Sequence, residues 1–193
     1  MINFNIKTEN ASEHWKYFNI KDQNVLDLGC GRWGVKNEKE FSFIYFLRNG
    51  ANKVIGIDKD IREINFFKEK YKNKNNLSIQ YVDISNSEQI KDLININNIT
   101  ALKSDIEGFE LLIAENFEPK DFISINEMAI EYHSLEIRNK FIDRIQEWGF
   151  TLKAHGQLRI KKYGVLFMEK ISEKIKINSI PPVVIKNPPD SKY

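Results

Sequence analysis

The chain has 193 residues, enough for one domain with a sizeable core, and its 41% hydrophobic and 29% charged content is ordinary for a globular protein in water. A net charge of +2 lacks the strongly basic balance of a nucleic-acid binder, and no apolar run is long enough to span a membrane. The single cysteine, Cys30, excludes an intramolecular disulfide framework and a multi-cysteine metal site. Met1-Ile2-Asn3-Phe4-Asn5 has no basic region followed by an apolar one, so the expected location is cytoplasmic, with no membrane or nucleic-acid partner.

Strand and helix signals alternate from Asn24 to about Glu169. Val25 to Leu28 is a short apolar strand running into Gly29-Cys30-Gly31-Arg32-Trp33-Gly34. Phe41 to Arg48 reads as a helix stopped by Asn49-Gly50, and Lys53 to Ile57 as a strand ending at Asp58. Asp60-Ile61-Arg62-Glu63 has capping-box spacing, with Ile61, Ile64, Phe67 and Tyr71 behind it at helical spacing. Leu77 to Val82 alternates as a strand and ends at Asp83. Ser85-Asn86-Ser87-Glu88 reads as a second capping box. Thr100 to Lys103 is a fourth strand, and Phe109 to Ala114 opens a helix. Phe122 to Tyr132 is a fifth strand carrying Glu127 and Glu131. Ser134 caps a helix with Ile137, Phe141, Ile145 and Trp148 on one stripe, stopped at Gly149.

The chain then changes character. Thr151 to Ala154, the turn His155-Gly156, Leu158 to Ile160 and Gly164 to Met168 read as strand pieces with no helix between them, so at least one joins antiparallel. The expected fold class is therefore α/β: a mostly parallel sheet with helices on both faces, finished by an antiparallel hairpin. The expected organisation is a single domain over residues 1–171, with its core at 24–169 and an extended Pro- and Lys-containing tail over 172–193. Asn187-Pro188-Pro189-Asp190 looks like an amino-methyltransferase motif, but it falls in that tail rather than after the fourth strand.

Three strand ends carry an acid where ligands of open α/β sheets bind. Gly29-x-Gly31-x-x-Gly34 fits a cofactor loop, and Asp27 stands two residues before it. A carboxylate there repels a dinucleotide pyrophosphate and tolerates the ammonium and sulfonium of S-adenosylmethionine. Asp58, followed by Lys59, is placed to accept ribose hydroxyls, and Asp83 to accept from an adenine amino group with Ile84 beside the ring. Cys30 reads as a small packed residue whose backbone N–H faces the ligand. His14, Trp15, Tyr17 and Trp33 either wall the cofactor or pack the domain edge, and packing is the simpler expectation.

The stretches VLDLGCG, VIGID and YVDI resemble the first three motifs of class I S-adenosylmethionine-dependent methyltransferases. Leu102-Lys103-Ser104-Asp105-Ile106-Glu107-Gly108-Phe109-Glu110 is similar to the K-x-D-x-E-G-x-E signature of FkbM-type methyltransferases, and Ile130-Glu131-Tyr132-His133 to their E-x-H strand end. Cys30 and Arg32 depart from the alanine and asparagine common there. The resemblance implies a Rossmann-like, seven-stranded class I methyltransferase fold. It also implies O-methylation of a hydroxyl on a sugar or other small polyhydroxylated acceptor, with S-adenosylhomocysteine as product.

Methyl transfer to oxygen is an in-line displacement that needs alignment and removal of the hydroxyl proton. His133 is the expected general base, its free pKa suiting neutral pH. Glu131 would orient it or bind acceptor hydroxyls, Asp105 would lie near the methionine end of the cofactor, and Glu107 would face the acceptor or cap the following helix. Glu110 reads equally as an acid favoured in a helix's first turn. Asp105, Glu107, Glu131 and His133 also have ligand types suited to a divalent metal, though no spacing requires one. The competing expectations are a cofactor-binding protein without catalysis and a dinucleotide-dependent oxidoreductase.

Overall fold

The structure is a computed structural model that describes residues 1–6, 11–32, 37–157 and 162–171. Trp33, Gly34, the expected strand piece at 158–160 and the tail from 172 onward lie outside the described residues. One sheet is built from β1 (Ile2–Asn5), β2 (Asn24–Leu28), β3 (Lys53–Asp58), β4 (Leu77–Tyr81), β5 (Ala101–Ser104), β6 (Glu127–Tyr132), β7 (Phe150–Gln157) and β8 (Gly164–Lys170). Their spatial order is β1-β7-β8-β6-β5-β2-β3-β4. Among the described residues, only β8 runs antiparallel, against both β6 and β7. The expected parallel sheet with a terminal hairpin is therefore present, with one strand more than expected: β1 pairs with β7 in parallel from outside the expected core.

Among the described residues, six α-helices connect the strands: α1 (Ala11–His14), α2 (Ser42–Arg48), α3 (Ile61–Lys70), α4 (Ser87–Ile96), α5 (Glu110–Asn116) and α6 (Leu135–Arg144). Alternation along the central strands divides their side chains between two cores. Leu26, Leu28, Leu102, Met128 and Ile130 face α4, α5 and α6 through Ile90, Ile94, Ile113, Ile137 and Phe141. Val25, Val54, Ala101 and Ala129 face α1, α2 and α3, where Trp15, Phe43, Phe46, Ile64 and Phe67 pack. Trp15 and Tyr17 are packing residues, Trp15 against Phe46 and Tyr17 against Phe4, with centroids 6.2 and 4.8 Å apart. Each such buried side chain contributes about 1.5–3 kcal/mol.

Local corrections have physical causes. The cap of α4 is Asn86, one residue later than the box read at Ser85, because the Gln89 side chain accepts from the backbone of both Ser85 and Asn86 while Asn86 accepts from Gln89 N–H. Asp60 does cap α3 through Arg62 N–H at 2.9 Å. Glu63 does not close the box, since it grips Arg32 in a fork at 2.5 and 2.6 Å, a stronger charge-assisted pair than a backbone bond. His155-Gly156 is no turn: both lie inside β7, where Gly156 pairs with Phe4 of β1 and a Cβ would meet the Phe4 ring at 2.6 Å. The apolar run beginning at Phe122 starts as a 3-10 turn (Pro119–Phe122), and the strand begins only at Glu127. Ser134 caps α6 as expected, accepting from Ile137 N–H at 3.2 Å.

Candidate active site

From β2 the chain steps to β3 and β4 on one side, then returns to β5 on the other. The order reverses between β2 and β5, and a crevice opens beyond their carboxyl ends. There Gly29, Ile57, Asp58, Lys59, Val82, Asp83, Ile84, Asp105, Ile106, Glu107 and Phe109 line a cleft of about 470 Å³ including its mouth. The structure thus brings together Gly29, Asp58, Lys59, Asp83, Ile84, Asp105 and Glu107 of the expected site, and adds Val82, Ile106 and Phe109 as apolar walls.

Gly29 is required by close approach. Its φ is +73°, and a Cβ would lie 1.7 Å from the Asp105 carbonyl oxygen. Asp58 accepts from Gly31 N–H and Asp60 N–H, both at 2.8 Å, so it anchors the glycine loop while retaining free acceptor capacity at the cleft. Cys30 is packed and buried, as expected, and burial pushes its thiol well above the usual range. Its backbone N–H does not face the ligand; it donates to Ile57 carbonyl at 3.0 Å.

Asp27 lies outside the cleft lining. In parallel register it stands beside Lys103 on β5, on the α2 side of the sheet. Both are buried, with Lys103 Nζ 3.0 Å from Asp27 Oδ1 and Ser42 Oγ donating to Oδ2 at 2.5 Å. The Lys103 ammonium also donates to the Leu28 and Gly29 carbonyls at 3.1 and 2.7 Å. Burial opposes charge on this lysine, but Asp27 and Asp105 outweigh it and raise its pKa, so the pair stays ionised. Asp27 therefore shapes the loop through Lys103. The warning in the sequence was a lysine inside an apolar strand, which must find an anion.

At the other end of the crevice, Asp105 just after β5, Glu131 of β6 and His133 just after β6 converge. His133 Nε2 lies 3.6 Å from Asp105, 3.9 Å from Glu107 and 3.9 Å from Glu131, and its Nδ1 is 3.8 Å from Glu110. Glu110 is fully buried and accepts from Ile106 N–H and Gly108 N–H at 2.6 and 2.8 Å, closing the turn in which Glu107 takes a φ of +55°. Led by Glu110, these carboxylates raise the imidazole to about 9. At neutral pH the ring holds its proton, which works against the expected role of a free base. Burial, with Glu131 nearby, pushes Asp105 up to about 7. Burial would also raise Glu131, but its hydrogen bond from His14 outweighs this and holds it below the ordinary value.

His14 is the residue that sequence reasoning could not locate. Its Nε2 donates to Glu131 Oε2 at 2.9 Å across 117 positions, a contact that only the packing of α1 on the sheet creates. Phe109 was read as a helix opener, yet it stands half-exposed at the cleft.

No family model matches the chain. Pantothenate synthetase of Christiangramia forsetii is 32% identical over 60 residues, covering 31% of this chain and 21% of that protein. The chain thus spans about a fifth of that relative's length, and the likeness carries no assignment. Among solved structures, Sp1610 of Streptococcus pneumoniae, proposed to be a tRNA (m1A22) methyltransferase, is 14% identical with a TM-score of 0.56 over 82% of this chain and 68% of its own. The ribosomal protein L11 methylase of Lactobacillus delbrueckii subsp. bulgaricus is 12% identical, TM-score 0.54, over 84% and 77%. Aeropyrum pernix fibrillarin, with natively bound S-adenosylmethionine, is 10% identical, TM-score 0.51, over 77% and 66%. The chain has the class I methyltransferase fold. The acceptors in these names are a tRNA and a ribosomal protein, so the neighbours give no support to a small-molecule acceptor or to the expected absence of nucleic acid. Among the described residues, no helix is long and apolar enough to cross a membrane.

Proposed function

We propose that the chain is an S-adenosylmethionine-dependent O-methyltransferase acting on a hydroxyl of a small polyhydroxylated acceptor. The observation that carries this is the cleft at the switch point of a class I methyltransferase fold, where Asp58, Asp83 and Asp105 come from three strand ends around the apolar walls Val82, Ile84 and Phe109. Asp58 would take the ribose hydroxyls, Asp83 and Ile84 the adenine, and Gly29 and Asp105 the methionine end. Asp105, Glu107, Glu131 and His133 would then position the acceptor, and the carboxylates rather than the imidazole would receive its proton. The FkbM-type resemblance at Lys103 to Glu110 supports a hydroxyl acceptor. So does charge: four carboxylates around one imidazole disfavour a phosphate-rich RNA strand at the transfer point.

Calorimetry tests the cofactor. S-adenosylhomocysteine should bind in the micromolar range and NAD should not; the reverse would sink the proposal. Asp58→Ala should weaken S-adenosylhomocysteine at least about tenfold, the worth of one charge-assisted hydrogen bond. Transfer of labelled methyl to saccharides, with tRNA and protein acceptors alongside, tests the acceptor class.

A further inference from the structure

The β5–β6 end of the crevice carries more negative charge than the side chains around it balance. Asp105, Glu107, Glu110 and Glu131 all lie 3.6 to 3.9 Å from His133, each beyond hydrogen-bond reach. Lys103 relieves little of this, because its ammonium is held against Asp27 and two carbonyls and stands 3.8 Å from Asp105. One donor atom each from Asp105, Glu131 and His133 falls within 4.8 Å of the others. Oxygen and nitrogen ligands at about 2.1–2.3 Å from a shared ion stand roughly 3 to 4.5 Å apart, so a small inward adjustment would complete the set.

Two residues outside this trio aim its donor atoms. Glu110, fully buried and fixed by two backbone N–H groups, stands behind His133 Nδ1, a buried atom with no hydrogen-bond partner. That leaves Nε2 towards Asp105 and Glu131. His14 holds Oε2 of Glu131 and leaves Oε1 facing His133 Nε2 at 3.9 Å. A carboxylate behind the distal nitrogen of an imidazole, and a hydrogen bond to the distal oxygen of a carboxylate, are how outer partners orient metal ligands. The stable packing of His14 against Trp15, centroids 4.4 Å apart, fixes the second of these.

We propose that Asp105, Glu131 and His133 form a divalent-cation site, with Glu110 and His14 as positioning residues. Two carboxylate oxygens and one imidazole nitrogen suit Mn²⁺ or Mg²⁺ rather than a thiolate-seeking ion. Asp105 and Glu107 line the cleft, so the site opens towards the ligand space. On the methyltransferase reading the ion would bind the acceptor hydroxyl and acidify it, but cation binding itself does not rest on that reading.

Mn²⁺ is the probe, titrated into the full chain without cofactor and followed by electron paramagnetic resonance. One bound ion per chain is expected, with broadening of the His133 imidazole resonances, and of those of neighbouring His14, in nuclear magnetic resonance spectra of the wild-type protein. Asp105→Asn and Glu131→Gln should each weaken Mn²⁺ at least about tenfold. His14→Gln should weaken it less, and His14→Ala more than His14→Gln. Thermal unfolding, together with S-adenosylhomocysteine binding by Glu131→Gln in the absence of Mn²⁺, checks that the variants are folded. Lack of stoichiometric binding, binding that survives both ligand substitutions, or His133 resonances that Mn²⁺ leaves sharp would each overturn the site. Loss of S-adenosylhomocysteine binding by the wild-type protein would overturn the cofactor reading instead and leave this one standing.

Discussion

The two ends of the crevice are built on opposite electrostatic plans. At the β2–β4 end, the protein satisfies its own polar groups. Asp58 takes two backbone N–H groups, Gly29 and Cys30 both donate to Ile57, and Asp27 is matched by Lys103 and Ser42. At the β5–β6 end, four carboxylates surround one imidazole with no hydrogen bond between them and it. At the first end, these described groups are already paired with one another. The second holds unbalanced charge, which suits it to a reacting group or an ion. Lys103 stands at the seam, tied to Asp27 on one side and 3.8 Å from Asp105 on the other.

Removing that seam should have the largest effect. Lys103→Met leaves Asp27 buried without its cation, and breaking a buried pair costs about 3–5 kcal/mol. Denaturant unfolding should show a loss of that size. Replacing Asp27 as well, in Asp27→Leu/Lys103→Met, should recover much of it, and a double variant no more stable than the single one would show that the pair is not the cause.

Gly29→Ala tests whether the two ends depend on one contact. The left-handed backbone costs a side chain about 1–3 kcal/mol, and the new Cβ must also push Asp105 carbonyl away. S-adenosylhomocysteine binding should fall sharply, and Mn²⁺ binding should fall with it because the same carbonyl belongs to the ligand residue Asp105. Intact Mn²⁺ binding in this variant would show that the two ends are mechanically separate.

A third histidine sharpens the contrast from outside. His155 on β7 is buried, and its Nε2 accepts from Tyr132 Oη at 2.7 Å. Burial, with Arg138 nearby, lowers it to about 4, whereas His133 among carboxylates is raised to about 9. A histidine depressed below its unfolded value of about 6.5 contributes stability that is present above that pH and lost as pH falls towards 4. The unfolding midpoint should therefore drop over that window, by at most about 1.4 kcal/mol per pH unit for one proton. The slope should flatten in His155→Gln, while S-adenosylhomocysteine binding by that variant at pH 7.5 stays as in the wild type.

Much of the frame was legible before any coordinate. The alternation of apolar runs with capped amphipathic segments identified the parallel α/β sheet and its antiparallel finish, because side-chain period reports directly which faces are buried. Strand ends were legible for the same reason, so Asp58 and Asp83 could be named as lining a cleft, while Asp105 was reached through the motif resemblance at Lys103 to Glu110. Helix caps were less secure: Asn86 displaced Ser85 by one residue because both types cap equally well and the reach of Gln89 decides. Strand β1 went unread because a four-residue edge strand has too few positions to show a period.

Sequence by itself determined the fold class, the glycine loop and the order of acids along the strand ends, since each follows from local periodicity and from fold rules that depend on chain order. Only tertiary structure decided which acids face the ligand. Asp27 looked equivalent to Asp58, and packing turned it inward to Lys103, because a lysine buried in β5 had to find an anion. His14 joined Glu131 across 117 positions through the docking of α1. Electrostatics decided the rest: one histidine's charge state depends on four carboxylates brought from the segment after β5, α5 and β6, and no local pattern records their sum.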